Sequence, residues 1–178
     1  EGYIKRVPLS TYRAQNRGGK GRSGMATRDE DFVTRLFVAN THTPVLFFTD
    51  RQNCYKARVY DFEDGKASQL GDFLPAKLSM DAGETVVYMA PAGDYSGYML
   101  FFYENGKAAK ISFEAYKTLT NRKRLINAYS DKAPLAAAMY LPEDTDIVLT
   151  STNQKVLVVN TALIAPKITK NSMGVNVM

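Results

Sequence analysis

The chain has 178 residues, 45% hydrophobic and 23% charged, proportions ordinary for a soluble globular protein and a length that allows a buried core. A lone cysteine, Cys54, excludes an intrachain disulfide framework or a cysteine metal cluster and suits a reducing, cytosolic setting. Net charge is +5, but residues 1–28 carry +6 and the remainder sums to −1, so the positive excess lies in one short segment.

No window reaches the roughly 18 consecutive apolar residues of a membrane helix. With charges from Lys5 onward, the opening residues are not expected to act as a signal peptide. The chain opens on Glu1 and not on methionine, so Glu1 is expected to be a cut point in a longer polypeptide.

The basic segment holds Lys5, Arg6, Arg13, Arg17, Lys20, Arg22 and Arg28, around the run Gln15-Asn16-Arg17-Gly18-Gly19-Lys20-Gly21. A double glycine between Arg17 and Lys20 lets backbone approach an anion closely with a cation on each side. A phosphate-binding surface is expected, with DNA as the polyanion.

Beyond it, residues 45–49, 99–103 and 147–150 are dense in β-branched and aromatic residues and predict strands. Each leads into a polar turn, of which Asn105-Gly106 suits the positive φ angles of a type I′ hairpin. An earlier strand is expected before each hairpin, at 32–38, 85–89 and 135–140. Prolines 44, 75, 91, 142 and 166 fall at strand ends or loops. A turn of helix is expected over 113–119, and no long amphipathic helix.

These elements recur. A shift of 104 residues pairs Arg6 with Lys110, Val7 with Ile111, Leu9 with Phe113, Tyr12 with Tyr116 and Arg13 with Lys117. Gly2, Gln52, Gly106 and Gln154 then occupy one equivalent place, at intervals of 50, 54 and 48. Such self-similarity indicates blades or a solenoid. The fold expected is all-β and propeller-like, an arc of three to four blades within one domain spanning 1–178. Arg122-Lys123-Arg124 stands where the basic run would lie in its own blade; taken alone, it reads equally well as a solvated loop. Lys167 and Lys170 form a thinner third cluster.

The run at 15–21 resembles the gyrase A-box, Q-R-R-G-G-K-G, with Asn16 the one departure in seven positions. Tyr3-Ile4-Lys5-Arg6, Arg22-Ser23-Gly24, Asp31-Phe32-Val33 and Leu36-Phe37-Val38-Ala39 extend the likeness. The chain therefore resembles the C-terminal domain of the DNA gyrase A protein, a β-pinwheel of four-stranded blades. The resemblance implies a non-catalytic module that wraps double-stranded DNA around its rim. It would support ATP-dependent negative supercoiling by an intact enzyme. That enzyme would join an ATPase B subunit to the rest of the A protein, in the cytoplasm at the nucleoid. No cofactor is expected in this domain, ATP and magnesium belonging elsewhere in that enzyme. The family's catalytic tyrosine lies upstream, so no tyrosine here is expected to be a nucleophile.

The residues expected on DNA are Lys5, Arg6, Arg13, Gln15, Asn16, Arg17, Gly18, Gly19, Lys20, Gly21, Arg22, Lys110, Lys117, Arg122, Lys123 and Arg124. Two alternatives stay open: the corresponding C-terminal domain of topoisomerase IV, which binds DNA without strong wrapping, and a propeller-like domain for protein partners. Gly19-Lys20-Gly21 lacks the spacing and following helix of a nucleotide-binding P-loop. His42, the sole histidine, sits in a polar turn with no second ligand for a metal. The pairs Phe47-Phe48 and Phe101-Phe102 read as packing and not as base-stacking platforms.

Overall fold

A computed structural model describes residues 2–12, 17–20, 32–66, 68–120 and 122–178. The first strands are β1 (Tyr3–Ile4), β2 (Pro44–Thr49), β3 (Cys54–Arg58) and β4 (Asp72–Phe73). Then come a short helix, α1 (Leu74–Leu78), and strands β5 (Val86–Pro91), β6 (Tyr98–Tyr103), β7 (Lys107–Ser112) and β8 (Arg124–Leu125). The last four are β9 (Leu135–Leu141), β10 (Asp146–Thr150), β11 (Val156–Asn160) and β12 (Val175–Asn176). Strands dominate, as the periodicity predicts.

Two sheets have four strands, in the orders β5-β2-β3-β8 and β12-β7-β6-β9, and two pairs, β1-β4 and β10-β11, form partial blades. Each complete blade is built by exchange. Its central hairpin pairs with the next long strand in the chain on one side, β5 on β2 and β9 on β6. On the other side it receives a two-residue strand from the following repeat: β4 on β1, β8 on β3, β12 on β7.

One turn position holds this frame. Gly2, Gln52, Gly106 and Gln154 all have positive φ, at 77°, 55°, 75° and 61°. A Cβ normally makes that conformation unfavourable, so two of the four are glycine. The carbonyls of the first three accept an N–H from just beyond the donated strand: from the next residue in Leu74 to Gly2 at 2.8 Å and Val177 to Gly106 at 2.9 Å, and from the third residue in Ala128 to Gln52 at 2.7 Å. Two further glycines let the donated strand approach. A Cβ on Gly71 (φ 94°) would stand 2.3 Å from the Ile4 carbonyl, and one on Gly174 (φ 75°) 1.8 Å from that of Ala108.

Packing explains the unbroken apolar runs. Side chains alternate across a strand, and a blade is covered on both faces. Val45 and Phe47 of β2 enter one core with Tyr55, Phe62 and Ile4, while Leu46 and Phe48 enter the next with Met99, Phe101 and Tyr116. Leu100 and Ala108 meet Ile147 and Ile164 in a third. Phe48 contacts Phe101 at 5.6 Å and Tyr116 at 5.1 Å, both edge-on. The phenylalanine pairs thus pack between blades. Cys54 is fully buried, and desolvation drives its thiol pKa strongly upward.

Three expectations need correction. Residues 32–40 form no strand. The run enters none of the sheets, and Phe32, Leu36 and Val38 are exposed. The helical turn expected over 113–119 is a 3-10 turn at Phe113–Tyr116. Helix α1 is unexpected, because Pro75 reads as a breaker although proline suits a first helical turn.

Candidate nucleic-acid interface

The two-residue strands β4, β8 and β12 are sheet edges, opposite the edges formed by β5 and β9, which lie against one another. They are therefore the outer rim of the arc. The loops leading into them, 63–71, 117–123 and 165–174, correspond in the repeat to the loop that carries residues 15–21. Entry into the loop is repeated as well: Gly65 donates its N–H to the Arg6 carbonyl at 2.8 Å, and Lys167 donates to that of Lys110 at 2.7 Å.

Of the expected contacts, Arg17, Gly18, Gly19, Lys20, Lys117, Arg122 and Lys123 are exposed or partly so. Gly18 has φ 89°, and a Cβ there would meet nothing within 4 Å, so conformation and not crowding calls for glycine. Arg13, Gln15, Asn16, Gly21 and Arg22 lie outside the described residues.

The other four are engaged within the protein. Lys110 is a correction: it is only 2% exposed, its Nζ lying 2.5 Å from Asp144 Oδ1 and 3.2 Å from the Thr161 carbonyl, over the Tyr98 ring. The repeat predicts its register but not its depth, since the following blade covers it. Hydrogen bonds from Lys110 and Thr161 hold the Asp144 carboxyl below the usual range. Arg6, its equivalent, lies 3.0 Å from Asp64 Oδ1 and is about a quarter exposed.

Lys5 donates to the carbonyls of Lys66 (3.0 Å) and Gln69 (2.9 Å), pinning the next repeat's rim loop, and desolvation lowers its pKa. Arg124 makes a two-pronged contact with Asp81, at 3.1 and 2.6 Å, beside the Tyr55 ring. The Asp81 hydrogen bond raises the Arg124 pKa.

Behind Arg124 sits a carboxylate that no sequence motif marks. Glu84, 2% exposed, accepts from Thr49 Oγ1, from Asn53 Nδ2 at 2.8 Å, from the Tyr55 hydroxyl at 2.7 Å and from the Asp81 N–H at 3.1 Å. Burial alone would raise its pKa, but these donors outweigh burial and hold it below the ordinary glutamate range. Glu84 thus fixes the loop that presents Asp81 to Arg124.

Lys66 is absent from the expected contacts. It lies on the first described rim loop, fifty residues after Asn16, and Gly71 stands fifty after Gly21, a signal present in the chain. Lys167 is exposed on the third loop, and Lys170 lines a shallow rim groove with Ile126, Asn127 and Ile168. The cations recur loop by loop along one edge, a spacing that suits successive phosphates of a curved duplex. Among the described residues, no helix is long and apolar enough to cross a membrane.

A family profile described as DNA gyrase C-terminal domain, beta-propeller, matches residues 1–40. The DNA gyrase A protein of Campylobacter jejuni is 33% identical over 148 residues, 82% of this chain and 17% of that protein. Its Rickettsia conorii counterpart is 51% identical over 82 residues, 44% of this chain and 9% of that protein. The chain thus spans less than a fifth of these relatives' length.

Among solved structures, the C-terminal domain of DNA topoisomerase IV superposes with a TM-score of 0.78 at 24% identity, covering 98% of this chain and 53% of that one. A DNA gyrase A C-terminal domain gives 0.64 at 19% identity, covering 99% and 57%. The motif-bearing segment thus matches the DNA gyrase C-terminal domain family, the alignment along most of the chain is with DNA gyrase A proteins, and the fold is that of the gyrase A and topoisomerase IV C-terminal domains.

Proposed function

We propose that this chain holds double-stranded DNA without sequence preference and bends it along the rim carrying Arg17, Lys20, Lys66, Lys117, Arg122, Lys123 and Lys167. The observation that carries the reading is the recurrence of cations on equivalent loops beside the outermost strand of each blade. Bending 20–30 bp by 40–90° costs on the order of 1–6 kcal/mol, more than one surface cation offsets and within reach of several phosphate contacts. Within a longer gyrase A protein the bent segment would be presented to the strand-passing core, supporting ATP-dependent negative supercoiling with an ATPase partner. The domain itself contributes grip and curvature and no bond chemistry.

Circular DNA relaxed by a topoisomerase in the presence of the chain tests this. A linking-number change that persists after protein removal supports wrapping. Binding without such a change supports the topoisomerase IV reading, which Asn16 favours by standing where the box has arginine. No binding at all refutes both.

A further inference from the structure

The cation on the second strand of each hairpin reaches forward into the next repeat at every described blade junction. Arg6 meets Asp64, Lys56 donates to Thr118 Oγ1, and Lys110 meets Asp144 and the Thr161 carbonyl. Arg6, Lys56 and Lys110 are equivalent in the repeat, as are Asp64 and Thr118.

Apolar contact between blades is non-directional and tolerates sliding. A hydrogen-bonded cation fixes direction, and a buried charge pair is better suited to specifying one arrangement than to adding stability. At the junction made by Lys110 the amine is held at three sides by Asp144, Thr161 and the Tyr98 ring, and Thr161 Oγ1 donates to the same Asp144 oxygen at 2.7 Å. We propose that this cation is a positioning residue that sets the angle between successive blades, and with it the curvature of the DNA-bearing rim; the second clause rests on the wrapping reading above. Lys110 thereby acts on DNA through blade geometry and touches no phosphate.

The test replaces the pair by apolar side chains, Lys110→Met with Asp144→Leu, and also makes Lys110→Met alone, where the partly exposed Asp144 is free to hydrate. Spin labels at Glu104→Cys and Thr152→Cys report the distance between the hairpin turns of the two blades; Cys54 is buried and takes no label. Without DNA, both variants are expected to unfold at a midpoint near the parent's, with a shifted or broadened label distance. An unchanged distance in both overturns the proposal.

With DNA, affinity is expected to hold within about twofold, since no phosphate contact is removed, while the linking-number change per bound chain falls. An unchanged linking number in a variant whose label distance has shifted overturns the link from blade angle to curvature. If the parent itself leaves no linking-number change, the wrapping reading fails, and the label distances still decide the positioning role. Should the double variant not fold, Lys110→Met alone decides.

Discussion

The division of basic residues into exposed and internally paired makes a sharp prediction about salt. Each phosphate contact to duplex DNA contributes about −0.9 to the slope of log affinity against log salt concentration. Arg122 and Lys123 are exposed on the second described rim loop. Arg122→Gln with Lys123→Gln should therefore flatten the slope by about 1.8 and shrink the affinity loss between 50 and 200 mM salt by about twelvefold. Lys110→Met is the control: the same kind of charge is lost, but from a side chain only 2% exposed and paired with Asp144, so the slope should not move. Fluorescence anisotropy with a labelled duplex at four or more salt concentrations measures both. Equal flattening by the two variants would show that net charge and not rim placement governs binding. No flattening by the double variant would remove that loop from the interface.

Three predictions concern the fold. Gly71→Ala and Gly174→Ala force a Cβ against the Ile4 and Ala108 carbonyls at positive φ, and each should cost roughly 1–3 kcal/mol or more, read as a lower thermal midpoint. A midpoint equal to the parent's would contradict the strand-exchange geometry. Gln154→Gly relieves a left-handed residue at φ 61° and should raise the midpoint slightly, since that strain of about 1–2 kcal/mol exceeds the usual entropic cost of glycine. Glu84→Gln places an amide among four donors and should cost on the order of 2 kcal/mol at neutral pH.

The sign of the pH effect follows from the depressed Glu84 pKa. Stability from this group is fully present above the ordinary glutamate range and is lost as pH falls through the lower folded value. Denaturant melts against pH should show the parent losing that increment on acidification, whereas Glu84→Gln lacks it at every pH.

The repeat frame is legible in the sequence because a turn residue with positive φ announces itself: Asn105-Gly106 marks one hairpin, and spacing extends it to Gly2, Gln52 and Gln154. The long strands are legible because burial on both faces demands continuous apolar runs such as Leu46-Phe47-Phe48. The donated strands are not, since two residues such as Asp72-Phe73 or Arg124-Leu125 are too short for periodicity to register.

For the interface, the chain announces where cations recur but not how deep they lie. Lys110 and Lys117 lie seven residues apart in one repeat, yet the next repeat folds over the first and leaves the second exposed. Lys5 and Arg124 are taken by partners far away in sequence, at Lys66 and Asp81, which only the three-dimensional fold brings close. Lys66 escapes a motif search because its loop keeps the final glycine of the box but not the paired arginine and lysine.

Hydroxyl-radical footprinting of the chain on a long duplex tests the central claim most directly. A duplex bent along successive rim loops should show protected sugars recurring about every 10–10.5 bp, always on the inward side and over more than one helical turn. Protection confined to a single short patch, or spread evenly with no such period, would contradict the account.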